Sequence, residues 1–152
     1  MASNNNRVLM RNEIPVELTW RLEDIFATDT LWEEEFKKVA ELSKEASSYA
    51  GTLKNGADAL LAVLTYYDKI YQRTMKLYTY AHMRYDQDTT NSFYQDMNSR
   101  IQTLATNISA ALSFLTPEIL SLSEETIESY LADNQDLQLY KQSLKEISMT
   151  RP

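Results

Sequence analysis

Three sets of side chains in this sequence have types and spacing that invite a chemical reading. The first is His82, the single histidine. A helical zinc site places two histidines one turn apart with a glutamate between them, so that both imidazoles reach one ion. No His-Glu-x-x-His occurs, nor any Glu-x-x-His pair for a carboxylate-bridged dimetal centre. A Ser-His-Asp relay would need His82 as base and a serine on a strand-turn-helix elbow, which the sequence does not offer. His82 therefore reads as a structural or surface residue. The second set is the clustered carboxylates Glu33 to Glu35 and Glu124 with Glu125, whose expected place at helix N-termini accounts for them through the helix dipole. Two scattered glycines cannot form a phosphate-cradling loop. The third set is Tyr66, Arg73, Tyr80 and Arg84, one row along a helix. Arginines there can pair with the carboxylates of an extended peptide while tyrosines cover its side chains. The same row can instead pack on other helices or another domain, the long stems lying on apolar surface. These four are the candidate contact residues. No catalytic constellation and no metal-ligand set is present.

The row sits on the stretch around which the chain is organised. Residues 57–87 contain no Pro or Gly and hold six of the ten tyrosines. Leu60, Leu64, Tyr67, Tyr71, Thr74, Tyr78, Ala81 and Tyr85 repeat at helical spacing and form one side. Tyr66, Arg73, Leu77, Tyr80 and Arg84 form a second. Such a helix, roughly 45 Å long at about 1.5 Å per residue, needs neighbours on both sides. The first row is expected to be the core side, so that Tyr78→Ala costs about 3 kcal/mol or more. Tyr80→Ala is expected to cost much less if its row faces something outside the chain.

The flanking elements position this helix. Residues 1–12 are polar and Asn-rich, a flexible tail. EIPVELTWRLEDIF, 13–26, reads as an extended strap ending in a helical turn at Leu22 to Phe26 and docked through its aromatics, since Pro15 biases Ile14 to extended backbone. Thr30 with Glu33 forms a capping box for a first helix that starts near Asp29 or Thr30 and stops at Gly51. Its stripe is Trp32, Phe36, Val39, Ser43, Ala46 and Ala50. DQDTTN, 86–91, is a short connection, so the next helix returns antiparallel. That helix, 91–115, carries Phe93, Met97, Ile101, Leu104, Ile108, Leu112 and Leu115 in an 11-residue pattern. Residues 101–117 hold no charge, and the face Gln95, Ser99, Gln102, Thr106, Ser109 and Ser113 is neutral, as expected of a helix covered on more than one side. Thr116 is the expected cap of a short helix with Pro117 at its first position. Ser123 caps another, and Leu137, Tyr140, Leu144 and Ile147 mark a last one. The fold class is all-α: a long antiparallel helical hairpin with flanking shorter helices and an extended N-terminal strap.

Composition sets outer bounds. The chain has 152 residues, 43% hydrophobic, enough for one domain with a buried core. Fifteen basic against 22 acidic residues give a net charge of −7, which argues against nucleic acid or an anionic membrane as partner. No cysteine, no apolar leader and no membrane-length apolar run lead to the expectation of a cytoplasmic protein.

EIPVELTWRLEDIF, then WEEEF, then KLYTYAHMRYDQDTTNSFYQDMNSRI resemble the amino-terminal region of oligoendopeptidase F, in the M3, thimet oligopeptidase-like zinc metallopeptidases. The resemblance runs from about residue 11 to the end. It implies a domain over 13–152 whose parent binds zinc and cuts short peptides inside a helical, channelled body. The family's zinc motif lies in a carboxy-terminal half with no counterpart in this sequence, so this segment has no cofactor of its own and is expected to be inactive alone. The implied partners are that catalytic half and the parent's oligopeptide substrate. The neutral face of the returning helix or the row Tyr66, Arg73, Tyr80 and Arg84 would meet the catalytic half or the channel. The alternative is a stand-alone helical protein-interaction module.

Overall fold

The structure, a computed structural model, describes residues 7–150. Part of the tail expected over 1–12 therefore lies outside the described residues. Helices α1 (Asp29–Ser43), α2 (Ala57–Gln87), α3 (Ser92–Ala111), α4 (Leu115–Ser121), α5 (Glu124–Asp133) and α6 (Lys141–Ser148) follow one another through short connections, with 3-10 turns between α1 and α2 and between α5 and α6 and no strand among the described residues. The strap is a succession of such turns at Arg11–Glu13, Val16–Leu18 and Leu22–Asp24, with extended residues at Ile14 and Thr19 between them. Only its end docks as expected: Leu22 and Phe26 are buried, whereas Trp20 is 79% exposed.

Local sequence explains most boundaries. Gly56, at φ +136, supplies the left-handed turn before α2, and its carbonyl accepts the first helical bond, from Leu60 N–H. Asn91 caps α3, its side-chain oxygen accepting from Phe93 and Tyr94 N–H. Ser123 caps α5 through Thr126 N–H. Three boundaries depart from expectation. Thr28, not Thr30, caps α1: its extended backbone presents Oγ1 to Leu31 N–H at 3.2 Å, which places Thr30 inside the helix. α1 ends at Ser43, well before Gly51, in a serine-rich run where Ser43 and Ser48 hydroxyls donate to the Ala40 and Glu45 carbonyls and compete with the helix ladder. α3 stops at Ala111 and α4 begins at Leu115, so Pro117 is the third residue of α4, where it still displaces no helical hydrogen bond.

α2 belongs to two cores. Leu60, Val63 and Leu64 in its first two turns pack with Leu53, Leu115, Ile119, Leu137 and Leu144, under a layer made by α4 to α6. Further along, Tyr66, Ile70, Leu77, Tyr80 and Ala81 pack with Trp32 and Val39 of α1 and Met97, Ile101 and Ile108 of α3. α1 runs antiparallel to α2, its Asp29, Trp32, Glu35 and Leu42 meeting Tyr80, Leu77, Arg73 and Tyr66 in turn. α3 returns antiparallel on another side of α2.

This arrangement buries the row expected to face outward and covers only part of the row expected to be the core side. The row of Tyr66, Arg73, Leu77, Tyr80 and Arg84 is the one that α1 covers. Of the other row, Leu60, Leu64, Thr74 and Ala81 are buried, but Tyr67 and Tyr71 are exposed and Tyr78 is only half-buried. Both rows are amphiphilic in tyrosine, so spacing alone could not say which one α1 would take. Burial orders the costs of truncation. Tyr80→Ala, which removes a ring at 0% exposure, should lower the unfolding free energy by about 3–5 kcal/mol. Tyr71→Ala, at 54% exposure, should change it by no more than about 0.5 kcal/mol. Urea unfolding of the two variants measures both; equal losses would contradict the packing described.

Candidate functional site

The four candidate residues line the seam between α1 and α2. Arg73 makes a two-pronged ion pair with Glu35, Nε to Oε1 at 2.6 Å and Nη2 to Oε2 at 3.1 Å. The hydrogen bond from Arg73 holds the Glu35 carboxyl below its ordinary pKa, against the opposing effect of burial. Tyr80 donates its hydroxyl to Asp29 Oδ1 at 2.6 Å, and Tyr94 of α3 donates to the other oxygen, Oδ2, at 3.0 Å. One carboxylate at the start of α1 thus ties three helices together. Arg84 lies over the rings of Tyr80 and Tyr94, at 5.1 and 5.8 Å from their centroids, and its guanidinium reaches Glu23 of the strap at 3.6 Å. Tyr66 donates to the Leu42 carbonyl at 2.8 Å and packs on Tyr49. At the middle of the seam the buried indole N–H of Trp32 donates to the Leu77 carbonyl at 2.9 Å.

On the far side of α2 from α1 lies a groove of about 520 Å³. Tyr67, Tyr71 and Met75 of α2 form one wall, Ile108 and Ser109 of α3 with Leu112 just after it another, and Tyr140 and Ile147 close one end. Tyr140 donates to Asp68 at 2.7 Å, which fixes that end. The Thr74 side chain also lines the groove; its Oγ1 is buried and has no hydrogen-bond partner among the described residues. Such an orphan is uncommon in a finished core.

No family model matches the chain. It is 46% identical over 147 residues to oligopeptidase PepF of Bacillus subtilis, covering 97% of this chain and 22% of that protein. It is 42% identical over 132 residues to the chromosomal oligoendopeptidase F of Lactococcus lactis subsp. cremoris, covering 86% of this chain and 22% of that one. The crystal structure of oligoendopeptidase-F from Enterococcus faecium superposes with a TM-score of 0.73 at 33% identity, over 78% of this chain and 23% of that chain. The chain is homologous to one segment of oligoendopeptidase F. It spans about a fifth of the length of the relatives it matches.

Within that segment the side chains present do not fit a zinc site. His82 stacks on Tyr78 at 5.5 Å and its Nε2 sits 3.5 Å from Asp86, and no three His, Cys, Asp or Glu side chains converge among the described residues. Sequence reasoning brought the four row residues together correctly on one face but missed their partners. Glu33 and Glu35, expected to serve the helix dipole, instead pair with Arg100 and Arg73. The signal was there in the matching helical phase of Asp29, Trp32 and Glu35 with the row on α2, and it needed only the antiparallel register to be read.

Burial raises the phenols of Tyr66 and Tyr80 to about 12, helped by nearby Glu45 at Tyr66 and by the bond to Asp29 at Tyr80. An unfolded tyrosine loses its proton near pH 10, so between about 10 and 12 the folded state binds more protons and stability falls as pH rises. The denaturant midpoint should hold up to about pH 10 and then decline. In the Tyr66→Phe, Tyr80→Phe double variant the decline should be shallower; an equally steep one would show that these phenols are not protected.

Proposed function

We propose that residues 13–152, preceded by a short tail over 1–12, are the amino-terminal helical domain of a cytoplasmic zinc metalloendopeptidase of the oligoendopeptidase F kind, which hydrolyses short oligopeptides. In this reading the domain contributes wall or cover to the peptide channel and packs against the catalytic half, while bond cleavage and zinc belong to that half. The observation that carries the reading is the coverage: nearly all of this chain aligns with relatives at up to 46% identity, yet accounts for only about a fifth of them.

The surface supports it. Val16, Leu18 and Trp20 of the strap stand out into solvent, as do Tyr71 and Met75 of α2, and these large apolar side chains are available to pack on another part of a longer chain. Tyr66, Arg73 and Tyr80 have their polar ends committed inside the chain, so their assigned part is to hold α1 on α2 and keep the domain stiff. Arg84 is likewise engaged inside the chain, its guanidinium meeting Glu23 of the strap and Gln87 while lying over Tyr80 and Tyr94, so the proposed contact of this row with a peptide or the other half would be made at the edge of the α1–α2 seam.

The test is direct. Purified on its own, the chain of 152 residues should hold no stoichiometric zinc by elemental analysis and should leave a fluorogenic oligopeptide uncut, whereas a longer product of the same gene should hold zinc and cut the peptide. One tightly held zinc per chain, or chelator-sensitive cleavage by this segment, would overturn the proposal.

A further inference from the structure

The turn that feeds α2 carries a reactive pair that the fold leaves unprotected. Asn55 and Gly56 form the single Asn-Gly step of the sequence. In such a step the glycine amide nitrogen can reach the asparagine carboxamide carbon, because no Cβ stands in the way. Asn55 is exposed, and its carboxamide makes no hydrogen bond among the described residues. The space where a Cβ would stand on Gly56 is empty to 4 Å, so the approach to its nitrogen is open. The 3-10 turns that end at Glu13, Leu18, Asp24 and Tyr49 each close with a bond from the N–H of the residue that follows. After the turn Leu53–Asn55 the Gly56 N–H closes no such bond. The other described asparagines are held. Asn91 and Asn134 present their side-chain oxygens to the N–H groups of Phe93 and Asp136. The N–H that follows Asn12, on Glu13, donates to the Met10 carbonyl at 2.9 Å. Asn98 and Asn107 lie within α3, where the following N–H belongs to the helix ladder.

We propose that Asn55 is a site of self-modification, in which closure onto Gly56 turns it into aspartyl and isoaspartyl residues. The Gly56 nitrogen, its proton taken by hydroxide, bonds to Asn55 Cγ. The Cγ–Nδ2 bond breaks, and Nδ2 leaves as ammonia after taking a proton from water. Water then opens the resulting cyclic imide at either carbonyl. Cleavage of the new Cγ–N bond leaves an aspartyl residue on the original main chain. Cleavage of the original peptide C–N bond leaves isoaspartate, with the main chain rerouted through Cβ and Cγ. Water is consumed, ammonia is released, and nothing is oxidised or reduced. The place in the fold sets the consequence. Leu53, just before the step, is 1% exposed and shares a core with Leu60, just after it. The Gly56 carbonyl accepts the Leu60 N–H at 3.2 Å. Isoaspartate adds a main-chain carbon between these two anchors. Aspartate adds only a carboxylate next to the start of α2, where the helix dipole favours it. The isoaspartyl form therefore loosens the joint between Leu53 and α2. None of this depends on the peptidase reading.

The test incubates the purified protein at mildly alkaline pH and follows each asparagine by peptide mass spectrometry, with fragmentation that separates aspartyl from isoaspartyl residues. In the folded protein, conversion at Asn55 should outrun that at Asn91 and Asn134 by at least about tenfold, and should stay within about tenfold of its own rate in urea. A smaller lead, or a folded-state rate below that bound, would overturn the proposal. Asn55→Gln is the control, since its longer side chain closes a ring far less readily and the position is exposed. Protein aged until it carries isoaspartate at Asn55 should unfold at a lower urea concentration than fresh protein. Aged Asn55→Gln and fresh Asn55→Asp should keep the fresh midpoint. An unchanged midpoint in the aged protein, or an equal drop in aged Asn55→Gln, would overturn the loosening of the Leu53 joint.

Discussion

Helix α2 is shared by two hydrophobic cores, and the requirement that it run unbroken from Ala57 to Gln87 governs every other element. Its early turns are held by Leu53 and the α4–α6 layer, its later turns by Trp32, Val39 and the apolar side of α3. A stiff rod between two cores transmits the position of one to the other, because packed interiors deform little. The polar contacts along the α1 seam are arranged to fit that rod. Asp29, Trp32, Glu35 and Leu42 meet Tyr80, Leu77, Arg73 and Tyr66 at successive turns, so a slip of one turn would break all four at once.

The energetics of the seam come chiefly from burial. Ion pairs as accessible as Arg73–Glu35 contribute about 1 kcal/mol or less, whereas burying rings such as Trp32 and Tyr80 contributes several times that. The polar groups serve geometry. Asp29 accepts hydroxyls from α2 and α3 together, and Arg100 pairs with Glu33 while lying over Trp32 and Phe36, at 5.3 and 5.2 Å from their centroids. These contacts set register and orientation in a domain whose proposed task is to be a firm wall.

Much of this fold was legible from pattern. α2 ran over the residues that lack Pro and Gly, and Ser123 capped the helix that its position implied. What spacing could not decide was the destination of each tyrosine row. A tyrosine is at home both buried with its hydroxyl paired and at a wet surface, so Tyr66 and Tyr71 look alike until α1 is placed. Trp20 misled for the same reason: a large aromatic in a strap suggests docking, yet in this chain it faces solvent. The charge-free run 101–117 was the most informative sequence signal, because it marked a face that nothing among the described residues covers.

The similarity to one segment of oligoendopeptidase F and the open surfaces support the proposal made above, a rigid helical domain that belongs to a longer peptidase and leaves catalysis to the rest of it. The gene itself gives the most direct check. Sequencing through the codon for Pro152 should show the reading frame continuing for several times the length of this chain and into a His-Glu-x-x-His. A stop codon directly after Pro152 would contradict the account.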